Sequence, residues 1–181
     1  MADVRRDLED LWGKIEEHEK KMKELKDAVV FLANSLREIR DVLAVYSSAI
    51  ATQIMVAHAL FERLPRMKGE QRLRMLSTSM KTMKEAHTKS LASLEHVNED
   101  IRKWFTENYF TTALASLLIP WHFAGGKLQT FLEALVTTLG SDFLNLLSEE
   151  YVLRFYGIEG VKTLREFKEL VGSERKKDKP R

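Results

Sequence analysis

The sequence predicts an all-α protein: a long antiparallel coiled-coil helical hairpin followed by a small C-terminal helical bundle. Three observations carry that expectation. Apolar residues recur alternately three and four positions apart over most of the first half of the chain, the pattern of a helix that packs on another helix. Helix breakers are scarce, with eight Gly and three Pro among 181 residues. No stretch alternates with a period of two for long enough to make a sheet.

The first helix follows from the series Leu8, Leu11, Ile15, His18, Met22, Leu25, Val29, Leu32, Leu36, Ile39, Leu43, Tyr46, Ile50, Gln53, Ala57, Leu60 and Leu64, in which fifteen of seventeen positions are apolar. A second helix follows from Leu73, Leu76, Met80, Met83, His87, Ser90, Leu94, Val97, Ile101 and Trp104, with eight of ten apolar. Pro65 and Gly69 between them supply the turn. At 1.5 Å per residue the first helix would extend roughly 85 Å, about twice the diameter of a compact domain of this length. It must therefore protrude or bend, and Asn34-Ser35 and Ser47-Ser48 are the mildest places for a bend.

If the chain turns near residues 66 to 68, position i of the first helix faces roughly position 134 minus i of the second. The second helix then ends opposite about residue 28, leaving residues 1–28 as an arm with no partner inside the hairpin. That arm must dock on the C-terminal region or on another subunit. The hairpin proper is expected over 29–109 with its turn at 64–70, the helices completing the bundle over 110–172, and a basic flexible tail over 173–181. Within 110–172, Pro120 to Gly126 reads as a turn or loop and Leu128 to Leu139 as an amphipathic helix ended by Gly140. Ser141-Asp142 caps a helix reaching Tyr156, and a short helix runs from Val161 to Val171.

Composition excludes several functions. The chain has no Cys, which removes disulfide scaffolds, Cys-based metal sites and Cys nucleophiles. The N-terminus carries acids and no apolar core, unlike a secretory or transit signal, so the expected location is the cytoplasm or the inside of a virion or nucleoprotein assembly. Few Asn and Gln beside abundant Lys and Glu suit a thermophilic protein. Val42 to Phe61 lacks charged residues and reaches spanning length, but its Tyr-Ser-Ser and Thr-Gln interior is too polar to insert readily. It is expected to be buried on several sides by Phe105 to Phe123 and the later helices.

The net charge of +2 conceals segregation. Residues 63–89 carry eight bases and two acids, whereas the first helix is acid-rich only before residue 41. On a helical wheel Arg74, Ser77, Lys81, Lys84 and Thr88 flank the apolar stripe of the second helix, and Arg63, Arg66, Lys68 and Arg72 gather at its start. Charged and neutral donors at one- to two-turn spacing suit a run of phosphates contacted without base readout. A helix N-terminus surrounded by bases is also an anion site. Lys176 and Lys177 in the tail would add a nonspecific contact. No aromatic ladder interleaves these bases, so a duplex backbone fits better than stacked single-stranded bases. The competing expectation is that the bases pair with an acidic protein surface, such as the arm of another subunit.

Leu8, Leu11, Trp12, Ile15 and Met22 in the arm, with Trp121 and Phe123 in the aromatic loop, are the expected assembly contacts or core anchors. The histidines converge on no metal motif: His18 and His87 occupy seam positions, where one polar residue sets register, and His58 and Glu62 are a lone pair one turn apart. Ala124-Gly125-Gly126-Lys127 lacks the strand and the Ser or Thr of a phosphate loop and is expected to be a turn where the chain passes close to another backbone. Neither cofactor nor catalytic constellation is expected. The layout of a long helical arm with a basic face beside a small bundle is similar to the DNA-wrapping coat proteins of filamentous archaeal viruses, in shape and without residue correspondence. The expected function is a self-assembling, non-enzymatic structural protein, a homo-oligomer or filament that coats double-stranded nucleic acid. The alternative is a coiled-coil scaffold that oligomerises and binds an acidic protein.

Overall fold

A computed structural model describes residues 2–177, with side chains described over 8–173. The protein is all-α, and the described residues contain no strand. Five helices follow one another: α1 (Ala2–Arg63), α2 (Glu70–Ala92), α3 (Glu99–Phe123), α4 (Leu128–Thr138) and α5 (Glu149–Lys177), with short 3-10 turns at Leu64–Arg66 and Ser141–Leu146. The chain divides into two compact units, Met1–Leu43 and Ala44–Arg181.

The first unit is a single helix. Asn34-Ser35 does not interrupt it. The Ser35 hydroxyl is taken up by the Phe31 carbonyl one turn back, at 3.0 Å, so the polar side chain competes for no backbone donor.

In the second unit α3 is the central element, burying Phe105, Tyr109, Phe110, Leu114, Leu117, Leu118 and Trp121. Tyr109 ties together the two helices that precede it. Its backbone carbonyl accepts a 3.0 Å bond from Gln53 of α1, and its hydroxyl donates to the Met83 carbonyl of α2 at 2.8 Å. Burial of that hydroxyl pushes its pKa up to about 12, so it stays a donor at any physiological pH. α1 and α2 are thus each tied to α3, and a groove lies between them. The two helices do keep the expected antiparallel register: Ser48, Ala49 and Thr52 line one groove with Thr82, Glu85 and Ala86, positions that sum to about 134.

The second helix is shorter than its apolar series suggests. It ends at Ala92, and Asn98 starts α3 by accepting the Asp100 N–H at 2.8 Å, with Glu99 and Asp100 on the positive helix end. Leu94 and Val97 remain buried across this break, which is why the apolar spacing runs through it undisturbed. Residue 92 corresponds to residue 42 in the hairpin register.

Two further segments depart from expectation. Pro120 to Phe123 are the last turn of α3, not a loop. A proline so near a helix end forfeits one donor and crowds one carbonyl, while continuing the helix carries the Trp121 indole into the core. The segment after Gly140 is a 3-10 turn, and α5 starts only at Glu149. Its kink sits at Gly157, with φ 68° and ψ −167°, a conformation open to glycine alone at low energy.

Candidate assembly seam and phosphate-binding flank

Ten apolar seam positions of the first unit, Leu8, Leu11, Ile15, Met22, Leu25, Val29, Leu32, Leu36, Ile39 and Leu43, stand 45–71% exposed. Trp12, Val30 and Phe31 beside them are exposed too. A lone helix has nothing to bury them against, and scattered exposed leucines are ordinary whereas a continuous stripe is not. The five arm residues expected at an assembly contact all lie on or next to this stripe. The exposed row is longer than expected, because it extends to residue 43.

The basic residues separate into four groups among the described side chains. Arg72 is held inside the second unit: its Nε donates to the Met67 carbonyl at 2.6 Å and its Nη1 to the Ala124 carbonyl at 2.7 Å. It clamps the α1–α2 turn to the end of α3. Arg74 is exposed and grips Glu70, one turn earlier, at 2.6 Å. Ser77 is half-buried. Lys81, Lys84 and Lys89 are exposed, with no carboxylate within ion-pair distance among the described residues. With Thr88 and Thr138 they border a shallow depression of about 430 Å3 that also includes Glu85. Lys84 lies 6.0 Å from the centre of the Phe143 ring, at the outer limit of a cation–π contact. Arg63, Arg66 and Lys68 are exposed at the turn. The side chains of Lys176 and Lys177 lie outside the described residues. The exposed bases without an ion pair among the described residues are thus Lys81, Lys84 and Lys89 of α2, beside Arg63, Arg66 and Lys68 at the turn.

Trp121 belongs to the core. It is 4% exposed, and its indole N–H donates to the Lys127 carbonyl at 2.9 Å. That ring lies against Gly126 so closely that a Cβ there would sit 2.3 Å from two ring atoms. The Gly125 and Gly126 N–H groups are spent on the His122 and Trp121 carbonyls, at 2.8 and 2.9 Å, so this glycine pair has no free N–H groups for an anion. Phe123, by contrast, is 67% exposed, with its ring 6.0 Å from that of the exposed Phe61. No family model, curated protein or solved structure matches this chain.

The α1 stretch expected to be enclosed is covered on one side only. Its most apolar 18-residue window qualifies by length and composition as a possible membrane span, yet only 17% of it is buried. One face meets α3 through Gln53 and Tyr46, whose ring is 5.9 Å from Phe105. The other face leaves Ile54 and Met55 exposed, in line with Phe61 one or two turns on.

His87 is a core residue, hydrogen-bonded to the Thr106 hydroxyl at 3.0 Å and packed among Phe105, Tyr109 and Phe110. The Thr106 hydroxyl already donates to the Arg102 carbonyl, so the ring is the donor to Thr106, as the neutral Nε2–H form. Burial holds its pKa below the usual value. His58 and Glu62 are 3.8 Å apart and both exposed. Among the described residues no group of three or more His, Asp or Glu converges on a metal position.

Proposed function

We propose that the chain is a self-assembling structural protein whose N-terminal helix joins copies together and whose α2 lysine row neutralises the phosphate backbone of a duplex. The exposed apolar stripe from Leu8 to Leu43 carries this reading. Thirty-six residues of exposed seam are a strong drive to associate, since burying one such side chain contributes about 1.5 to 3 kcal/mol. The aromatic pair Phe61 and Phe123, with Ile54 nearby, supplies a second apolar surface on the other unit. Two different contact surfaces permit an open assembly, whereas one self-complementary surface closes as a dimer. For nucleic acid the support is the unpaired Lys81, Lys84 and Lys89 together with the exposed turn bases, a sequence-independent contact set.

Light-scattering mass of nuclease-treated protein, with and without a short duplex, at low salt and at about 0.5 M salt, tests both halves. The expected outcome is an oligomer without duplex and a larger complex with it that falls apart in salt. An oligomer indifferent to duplex removes the nucleic-acid half and leaves a coiled-coil scaffold. A monomer under all conditions removes the whole proposal.

A further inference from the structure

We infer that the arm of one copy pairs with the arm of a second copy in antiparallel orientation, in the register where residue i faces residue 47 minus i. The inference rests on the self-assembly reading and specifies its contact. In heptad terms Leu8, Ile15, Met22, Val29, Leu36 and Leu43 are the a positions, and Leu11, His18, Leu25, Leu32 and Ile39 the d positions. An antiparallel pair packs a against d, which allows only sums seven apart, and only a sum of 47 gives every exposed seam residue from Leu8 to Leu43 a seam partner within the first unit; the neighbouring sums, 40 and 54, leave Leu43 or Leu8 without one. A sum of 47 aligns residues 4–43 of both copies, almost the whole first unit.

Charge selects among the alternatives. The flanking e positions include Glu19 and Lys26, the g positions Lys14 and Lys21, all exposed. Antiparallel partners face e to e and g to g. At a sum of 47, Glu19 meets Lys26 of the second copy twice by symmetry, Lys14 and Lys21 meet Ser35 and Ala28, and Arg5 meets Arg40 at the ends of the overlap, where Arg40 is engaged by its own Asp41 at 2.9 Å. A sum of 40 sets Glu19 against Glu19 and Lys21 against Lys21, and a sum of 54 sets Lys26 against Lys26. In a parallel pair Lys14 meets Glu19, but Lys21 faces Lys26 on both sides, with only its own Glu17, 2.6 Å away, to offset the repulsion. The parallel arrangement also stacks His18 on His18, where the antiparallel one sets it against Val29. Opposite pairs stabilise and like pairs destabilise by similar amounts, so among these three antiparallel registers 47 alone gains ion pairs, and its like-charge contact lies at the ends of the overlap rather than in the middle of the arm.

The contact is also large enough. Ten exposed seam side chains from each copy, at roughly 60 to 120 Å2 apiece, remove on the order of 1,200 to 2,400 Å2 from water. That is the size of a stable interface.

The absence of native Cys makes the test clean. Full-length Leu11→Cys and Leu36→Cys proteins are oxidised separately and as a mixture, and the mass of each is measured before oxidation. Leu11 faces Leu36 in the proposed register, and the two are roughly 37 Å apart along one helix. The expected result is a mixed disulfide at roughly tenfold the yield of either variant alone, because only held neighbours reach bonding distance. Disulfides within each variant alone, Leu11→Cys to itself and Leu36→Cys to itself, would mean parallel arms and overturn the orientation while leaving self-assembly standing. An oligomer that forms none of these crosslinks overturns arm pairing and leaves assembly through another surface. A monomer before oxidation, with wild type also monomeric, overturns self-assembly as well.

Discussion

Replacing Lys81, Lys84 and Lys89 together by Gln removes three positive charges from α2 and leaves its buried stripe of Leu76, Met80, Met83 and His87 untouched. All three are exposed, and none is ion-paired among the described residues, so folding stability should change by less than about 0.5 kcal/mol. Duplex affinity should respond in a defined way. Each phosphate contact contributes about 0.9 to the slope of log affinity against log salt, so three lost contacts flatten that slope by about 2.7. Between 50 and 200 mM salt, the variant should therefore lose about 40-fold less affinity than wild type does. Fluorescence anisotropy of a labelled duplex across that range reads it directly. Binding should weaken equally on unrelated sequences, as expected of backbone contacts. Arg72→Ala provides the contrast. It deletes two bonds from a charged donor to the Met67 and Ala124 carbonyls and should lower stability by about 2 to 4 kcal/mol, while the salt slope of the folded fraction stays that of wild type. An unchanged slope in the triple variant would refute the assignment of the lysine row.

Three further outcomes follow from the packing. Gly126→Ala should destabilise by about 2 to 4 kcal/mol in denaturant titration, because the new Cβ overlaps the Trp121 ring and threatens its bond to Lys127; wild-type stability would show that the ring moves freely. Gly13→Ala, which meets no atom within 4 Å, should raise helicity and stability of the arm by about 0.5 to 1 kcal/mol, checked by circular dichroism. His87 has a folded pKa below its unfolded value of 6.5, so the unfolded chain binds the proton more readily. Its contribution is complete above about pH 6.5 and is lost as pH falls from there toward the folded pKa; His87→Gln should flatten the stability profile across that window, and an identical profile would contradict the neutral buried ring.

The features legible in the sequence are those written at short range. The 3-4 spacing from Leu8 to Leu64 specified α1 because one helix face repeats regardless of what covers it, and Pro65-Gly69 marked the turn. The end of α2 was harder, since Leu94 and Val97 keep the apolar phase across the break and only Ser93 and Asn98-Glu99-Asp100 signal it. The charge row on α2 was visible, but which bases remain available was not. Arg72 is withdrawn by a carbonyl 52 residues away, a contact no local pattern contains. Trp121 likewise reads equally as a core or an assembly anchor until Gly126 is seen to leave room for its ring. The covering of the 42–61 stretch was overestimated, because low charge signals burial without saying how many sides are buried.

Sedimentation equilibrium of nucleic-acid-free wild type beside a Leu25→Glu, Leu32→Glu double variant tests the central claim most directly. Both leucines are exposed on the arm seam and lie outside the second unit, so the variant should keep its folded bundle. Wild type should sediment as a dimer or larger species that does not need duplex, and the variant as a monomer with the thermal transition of the second unit preserved. A monomeric wild type, or a variant that assembles as well as wild type, would contradict assembly through the arm.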